Sequence, residues 1–349
     1  MDVSIAVIGA SGYTGAEALR ILARHPNFHV NGVFGHRSAG DPLEDHWPHL
    51  VETQLPRRIE AVDVSAIAQR SQWALLALPH GQSAALASSL LDAGVHVLDL
   101  SADFRLDRTL YEAHYGAHPC PHRLPQAVYG LPELSACRSR LPGAPLIAGP
   151  GCYPTTVTLA TAPFYAAGVV PSSSVLIADC KSGVTGAGIQ AKPGTHFCAV
   201  TDTIQAYKVE GHRHRPEIAR NLSWLTGREV RVRFTPHLLP VRRGILATCY
   251  LAVDLWDEDG LRALVSGAYE GSPFVRLLPK GQQPSLTRVA GTNRVEIQVV
   301  PDPDNELVVI TCALDNLCKG SSGGAIQALN LAMGFAEETG LDGLQPTVP

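Results

Sequence analysis

Apolar residues come along this chain in short continuous runs, each stopped by glycine, proline or polar residues. Ser4-Ile5-Ala6-Val7-Ile8 reads as a buried strand. It runs into Gly9-Ala10-Ser11-Gly12-Tyr13-Thr14-Gly15 and then an amphipathic helix from Ala16 to Arg24. Val30 to Phe34, Trp73 to Leu78 and Val95 to Leu100 repeat the pattern, with helical stretches between them. Such alternation predicts an α/β domain, a doubly wound Rossmann-type parallel sheet. A short run, Pro145-Leu146-Ile147-Ala148, predicts one more buried strand before Gly149-Pro150-Gly151-Cys152-Tyr153-Pro154-Thr155, after which a helix begins. On this reading Cys152 sits on the turn, with Pro154 at the first helical position.

Beyond Cys152 the rhythm changes. Ser174 to Ala178, Glu229 to Phe234, Gly244 to Val253, Arg294 to Val300 and Glu306 to Ala313 are strand-like and rich in β-branched residues. One clear helix stands among them, from Pro216 onward, with Ile218, Leu222 and Leu225 on one face. The pattern predicts a second α+β domain on a mixed sheet. A last helix, from about Gly324 to Glu338, is free to return to the first domain. The expected division is therefore residues 1–148 plus 318–349 as the dinucleotide-binding domain and 149–317 as the catalytic and oligomerisation domain.

Composition narrows the partners. The 349 residues are 45% apolar and 17% charged, with 28 Lys+Arg against 32 Asp+Glu for a formal charge of -4. Nothing there favours nucleic acid or an anionic membrane surface, and a small molecule is the expected partner. No apolar run approaches the roughly 20 residues of a membrane span, and the N-terminus enters a strand directly. The eight cysteines are scattered without C-x-x-C pairs, and Cys249 and Cys312 fall inside apparent strands. Reduced thiols in a cytoplasmic protein are expected, rather than a disulfide framework or a zinc site. The long apolar strands of the second domain suit a subunit interface, so a homo-oligomer, dimer or tetramer, is expected.

Glycines spaced G-x-x-G-x-x-G between a first strand and a first helix let backbone N–H groups approach a pyrophosphate. Gly9, Ser11, Gly12, Tyr13, Thr14 and Gly15 are thus candidate dinucleotide contacts, the alternative being a plain glycine-rich turn. At the end of the next strand an NAD site usually carries an acid, but here Arg37 and Ser38 stand in Gly35-His36-Arg37-Ser38. An Arg and a hydroxyl suit a 2′-phosphate and so NADP(H), though a solvated surface Arg competes. Pro79, His80, Ser101 and Arg105 fall at the carboxyl ends of strands, where such sheets bind ligands.

Cys152 reads in two ways, as a small buried apolar residue or as a thiol at a helix N-terminus, where the dipole favours the nucleophilic thiolate. Ser182-Gly183-Val184-Thr185-Gly186-Ala187-Gly188 is either a flexible loop able to admit a nicotinamide or phosphate or a mobile surface loop. Gly211-His212-Arg213-His214-Arg215-Pro216-Glu217 gathers two imidazoles, guanidiniums and a carboxylate ahead of a helix. No third ligand of matching spacing appears, so a general base and anion partners are expected there and no metal, with a solvated polar loop as the alternative. Asn316 and Gly320, in the glycine-rich stretch before the last helix, form a candidate second wall for the cofactor.

With these stretches assembled, together with Ser101-Ala102-Asp103-Phe104-Arg105 and Tyr129-Gly130-Leu131-Pro132-Glu133, the chain resembles the N-acetyl-γ-glutamyl-phosphate reductase family along essentially its whole length. The resemblance implies NADPH-dependent reduction of an acyl phosphate, in arginine biosynthesis. Cys152 would expel inorganic phosphate to leave a thioester, and His212 would be the acid/base. It further implies Arg105 at phosphate, and Tyr153, His214, Glu217 and Arg243 around the rest of the substrate. Arg215 stands where the family more often has a small hydroxyl residue, and Cys318 where an aliphatic one is usual. The same chemistry on aspartyl phosphate or a carrier-linked aminoadipyl phosphate is one alternative. An inactive dinucleotide-binding regulatory protein is another.

Overall fold

A computed structural model describes residues 2–254 and 257–346. Met1 and residues 347–349, which the sequence assigns to the first domain, lie outside them. The chain forms two compact units, one through Pro150 with Ser321–Leu344 added, the other Gly151–Gly320 with the described residues from Gln345 onward.

The first unit carries strands β1 (Val3–Ile8), β2 (Phe28–Gly35), β3 (Glu60–Ala61), β4 (Trp73–Leu76), β5 (His96–Asp99), β6 (Ala127–Tyr129) and β7 (Leu146–Ala148). They lie in the order β3-β2-β1-β4-β5-β7-β6, and every neighbouring pair is parallel. This is the doubly wound sheet that the alternating runs predict. The strands read as unbroken apolar runs because both faces are covered: Ile8, Phe34, Leu76, Val97 and Leu146 share one core with Ala84, Ala87 and Leu90 of the helix Ser83–Asp92. The last helix belongs to this unit and is shorter than expected, Gly323–Ala332. Gly334, at φ +75°, turns the chain out of it before Glu338 is reached.

The second unit carries β8 (Val175–Ser182), β9 (Gln205–Ala206), β10 (Arg231–Leu238), β11 (Ile245–Leu251), β12 (Val275–Leu277), β13 (Val295–Asp302) and β14 (Leu307–Leu314). Their order is β12-β13-β14-β11-β8-β10-β9, mixed in direction, with β8–β10 and β12–β13 parallel. The helix Cys152–Ala166 packs on β11 and β14, Arg215–Thr226 on β10 and Glu258–Ala268 on β13. On the other face Val175 and Ile177 are 41% and 45% exposed. Burial alternates along β8 and β11, as in a sheet covered on one side.

Two local expectations are corrected. Helix Cys152–Ala166 starts at the cysteine itself, with extended Gly151 as its N-cap, so Pro154 is third rather than first. A proline is tolerated there because first-turn N–H groups lack intrahelical partners anyway. The second unit also has the further helix Glu258–Ala268, where the sequence shows only Pro216 onward as clearly helical. Gly260 and Gly267 hide it. Asp257 caps it through the Gly260 N–H at 2.7 Å, and Leu261 and Val265 bury one turn apart. Among the described residues no helix is long and apolar enough to cross a membrane.

Leu261 is fully buried, so Leu261→Ala is expected to lower unfolding free energy by about 2–5 kcal/mol. Guanidinium unfolding followed by circular dichroism checks this, and an unchanged midpoint would place the helix off the core.

Candidate active site

In the second unit Cys152 is half-buried at the first position of a helix that is otherwise almost wholly buried. Its turn is held from three sides. The Gly151 N–H donates to Oε1 of Glu217 at 2.9 Å, and that carboxylate is buried. Thr155 returns both its N–H and its hydroxyl to the Gly151 carbonyl. Gly320 lies so close that a Cβ there would stand 2.9 Å from the Cβ of Cys152.

What presses Gly320 into place is Asp315. Its carbonyl accepts from the Gly320 N–H at 2.8 Å. Its buried carboxylate accepts from Arg243 (Nε 2.5 Å, a terminal N–H 2.8 Å) and from the N–H groups of Gly291, Leu317 and Cys318. A buried carboxylate met by a bidentate guanidinium and three amides is a rigid hub. Arg243, expected at the substrate, is thus turned to Asp315, and Glu217 to Gly151. The carboxamide oxygen of Asn316 accepts from the Gly244 N–H at 2.6 Å and its Nδ2 donates to Thr185. Ser182 is buried, and a Cβ on Gly183 would meet Arg243 N at 2.7 Å. The Ser182–Gly188 loop, expected to be flexible, is therefore fastened to residues 241–244.

His212 and His214 stand beside this turn. The Tyr153 ring, next in sequence to Cys152, meets both imidazoles edge-on at 5.9 Å. Tyr207 and Phe234 close on His212 at 5.7 and 5.3 Å, and the Tyr207 and Tyr153 hydroxyls are 3.1 Å apart. Burial, then Lys208 and Arg213, lower the His212 pKa to about 4, so the ring is neutral near pH 7. Sequence reasoning missed Tyr207 and Phe234, and took Asp315 only as part of the glycine-rich stretch with Asn316 and Gly320; Tyr207, five residues before His212, carried a positional signal.

The first unit holds the other candidates. Gly9 has φ +89°, and a Cβ there would strike the Ala77 carbonyl oxygen at 2.3 Å; one on Gly15 would strike that of Gly9 at 2.3 Å. Tyr13 and Thr14 open the helix Tyr13–Leu22, with Gly12 as N-cap. The Ser38 hydroxyl donates to that of Ser11 at 3.1 Å, tying the glycine loop to the end of β2, where Arg37 is exposed. Tight glycines, a helix N-terminus and an exposed guanidinium fit a dinucleotide with a 2′-phosphate. Pro79 and His80 are exposed, and His80 Nδ1 accepts from the Ala102 N–H at 2.9 Å. Asp103 accepts from the N–H groups of Gly81, Ser83 and Ala84 and fixes this loop. Arg105 is buried and donates to the carbonyls of Leu100 and Gly149 at 2.7 Å each. Among the described residues no group of three or more His, Cys, Asp or Glu is placed to hold a metal.

A Rossmann-type unit with a glycine cradle, joined to a mixed-sheet unit with a cysteine at a helix start, defines the semialdehyde dehydrogenase class. The models of that class match: its NAD binding domain over residues 4–140 and its dimerisation domain over 152–316. The fold is shared with aspartate semialdehyde dehydrogenase II of Vibrio cholerae in complex with ASA (TM-score 0.71, 18% identity, 95% of this chain and 98% of that one). It is shared too with the Candida albicans aspartate semialdehyde dehydrogenase with NADP (0.68, 15%, 95% and 99%). Much nearer in sequence are the N-acetyl-gamma-glutamyl-phosphate reductases of Desulforudis audaxviator (44% identity, 99% of this chain and 100% of the relative) and Rhodospirillum rubrum (45%, 99% of each). The chain belongs to the N-acetyl-gamma-glutamyl-phosphate reductase family.

Gly320→Ala is expected to displace Cys152 and cut turnover at least tenfold, while leaving cofactor affinity within about twofold, since a Cβ so close forces backbone apart. Steady-state kinetics with cofactor titration checks the split, and unchanged turnover would show that the contact does not position the thiol.

Proposed function

We propose that the chain reduces N-acetyl-γ-glutamyl phosphate to N-acetylglutamate 5-semialdehyde and phosphate, with NADPH as reductant and Cys152 as nucleophile, in arginine biosynthesis. The observation that carries it is a half-exposed thiol at the start of a buried helix, one ring away from a neutral imidazole. Relatives at 41–45% identity over nearly the whole chain, all named for this reaction, support it.

The sulfur, ionised with His212 as the acid/base that takes its proton, adds to the acyl carbon. The carbon–oxygen bond to phosphate breaks, phosphate leaves with the electron pair and takes a proton from solvent, and a thioester remains on Cys152. NADPH supplies the hydride that reduces this thioester carbon. The resulting alkoxide re-forms its carbonyl, the carbon–sulfur bond breaks and the aldehyde departs with the thiolate restored. Gly9, Ser11, Gly12, Tyr13, Thr14 and Gly15 would hold the pyrophosphate of the cofactor and Arg37 with Ser38 its 2′-phosphate, with Pro79 and His80 as further contacts to it. Tyr153 and His214 face the substrate. Glu217, Arg243, Asn316 and Gly320 position the thiol and its loops from behind, and Arg105 braces the chain just ahead of it in sequence.

We further propose a homodimer through the uncovered sheet face carrying Val175 and Ile177, supported by the dimerisation-domain match. Eight free cysteines favour the cytoplasm.

Incubation with acyl phosphate but no NADPH is expected to add one N-acetylglutamyl group to Cys152, read by mass spectrometry and absent in Cys152→Ser. A wild-type chain left unmodified, yet folded, would overturn the thioester. Ile177→Lys is expected to shift the protein to monomer by light scattering; an unmoved mass would place the interface elsewhere.

A further inference from the structure

Lys208 stands where folding disfavours a lysine. Its φ is +48°, in the left-handed region that glycine enters freely and a residue with a side chain enters only under strain. Partial burial, then Arg213, then Lys192 depress its pKa, so desolvation and like charges both oppose its ammonium. Among the described residues it has no ion-pair partner, and Glu210, two residues on, has none either. Folding alone would favour a glycine there, so the reason for this lysine lies in what its side chain binds.

The loop that carries it is fastened on both sides. Just ahead, β9 pairs with β10 through Ala206 and His237, and the Tyr207 N–H donates to the Pro236 carbonyl at 3.1 Å. The Gly211 N–H closes the turn onto the Lys208 carbonyl at 3.2 Å, and the Arg215 N–H donates to the His212 carbonyl at 3.0 Å. Lys208 thus leaves a defined point beside the aromatic box. Tyr207, its neighbour, touches the His212 ring and meets the Tyr153 hydroxyl. Lys208 and Arg213 both stand near enough to His212 to lower its pKa. Lys192, Lys208 and Arg213 are all exposed, and a group of cations at the edge of such a box makes a field that an anion satisfies.

We infer that Lys208, in the field of Arg213 and Lys192, binds an anionic oxygen group of the substrate, the α-carboxylate or the phosphoryl group of the acyl phosphate. This rests on the proposed reading that the substrate is N-acetyl-γ-glutamyl phosphate, which carries both. The contact holds the substrate before the thiol attacks and is not confined to the transition state, so it is felt mainly in KM and little in kcat.

Lys208→Gly is the discriminating variant, because glycine keeps the backbone conformation and removes only the ammonium. Its melting temperature, by scanning calorimetry, is expected to equal or exceed that of wild type. In the reverse direction, with N-acetylglutamate 5-semialdehyde, inorganic phosphate and NADP, at least one KM is expected to rise about 10–100-fold, the usual worth of a charge-assisted contact, with kcat within about threefold. A rise for phosphate assigns the phosphoryl group. A rise for the semialdehyde that is not seen with 4-acetamidobutanal, which lacks the carboxylate, assigns the carboxylate. Lys208→Arg, which keeps the charge, is expected to bring that KM back at least threefold towards wild type. Both KM values unchanged in Lys208→Gly, or Lys208→Arg no better than Lys208→Gly, overturns the inference. So does a lowered melting temperature, since the lysine would then be holding the fold. If wild type turns over neither aldehyde, the reductase reading falls and titration calorimetry decides the inference by itself. Inorganic phosphate or N-acetylglutamate must then bind wild type at least tenfold tighter than Lys208→Gly, and equal affinities overturn it.

Discussion

The Gly151 N–H held by the buried carboxylate of Glu217 is the constraint on which the second unit turns. It joins the first turn of helix Arg215–Thr226 to the first turn of helix Cys152–Ala166. Because His212 and His214 immediately precede the one and Cys152 begins the other, the imidazoles come against the ring of Tyr153, the residue next to the thiol. Asp315 closes the opposite side through Gly320. Both carboxylates work on backbone amides, and that fixes geometry more firmly than contact with a mobile side chain would.

The same arrangement sorts the cysteines. Cys180, Cys249 and Cys312 lie on adjacent strands of the mixed sheet, fully buried, and burial pushes each thiol up. They pack as small apolar residues. Cys152 is half-buried at a helix N-terminus, where first-turn N–H groups lack intrahelical partners and the dipole favours an anion. Fold position, rather than residue type, separates the proposed nucleophile from filler.

Much of this was legible in the sequence because the signals are local. The parallel sheet follows from apolar runs alternating with helices, the cradle from glycines that no other residue can replace at Gly9 and Gly15, and the thiol's place from its glycine frame. What was hidden is what depends on distant partners. Asp315 looks like a loop acid until Arg243 and Gly291 fold onto it, and no spacing announces the internal partners of Glu217 and Arg243. Helix Glu258–Ala268 was masked by two glycines whose cost is offset by an Asp cap and two buried aliphatics. The aromatic box around His212 draws Phe234 from a strand and Tyr153 from a helix, so no spacing announces it.

Position-resolved alkylation tests the central claim most directly. With limiting iodoacetamide near pH 7 and mass mapping of each cysteine, the account requires Cys152 to be modified ahead of the more exposed Cys198, with Cys180, Cys249 and Cys312 untouched. Cys198 reacting first, or the two at equal rates, would mean that exposure alone governs these thiols and that the Cys152 turn confers no activation.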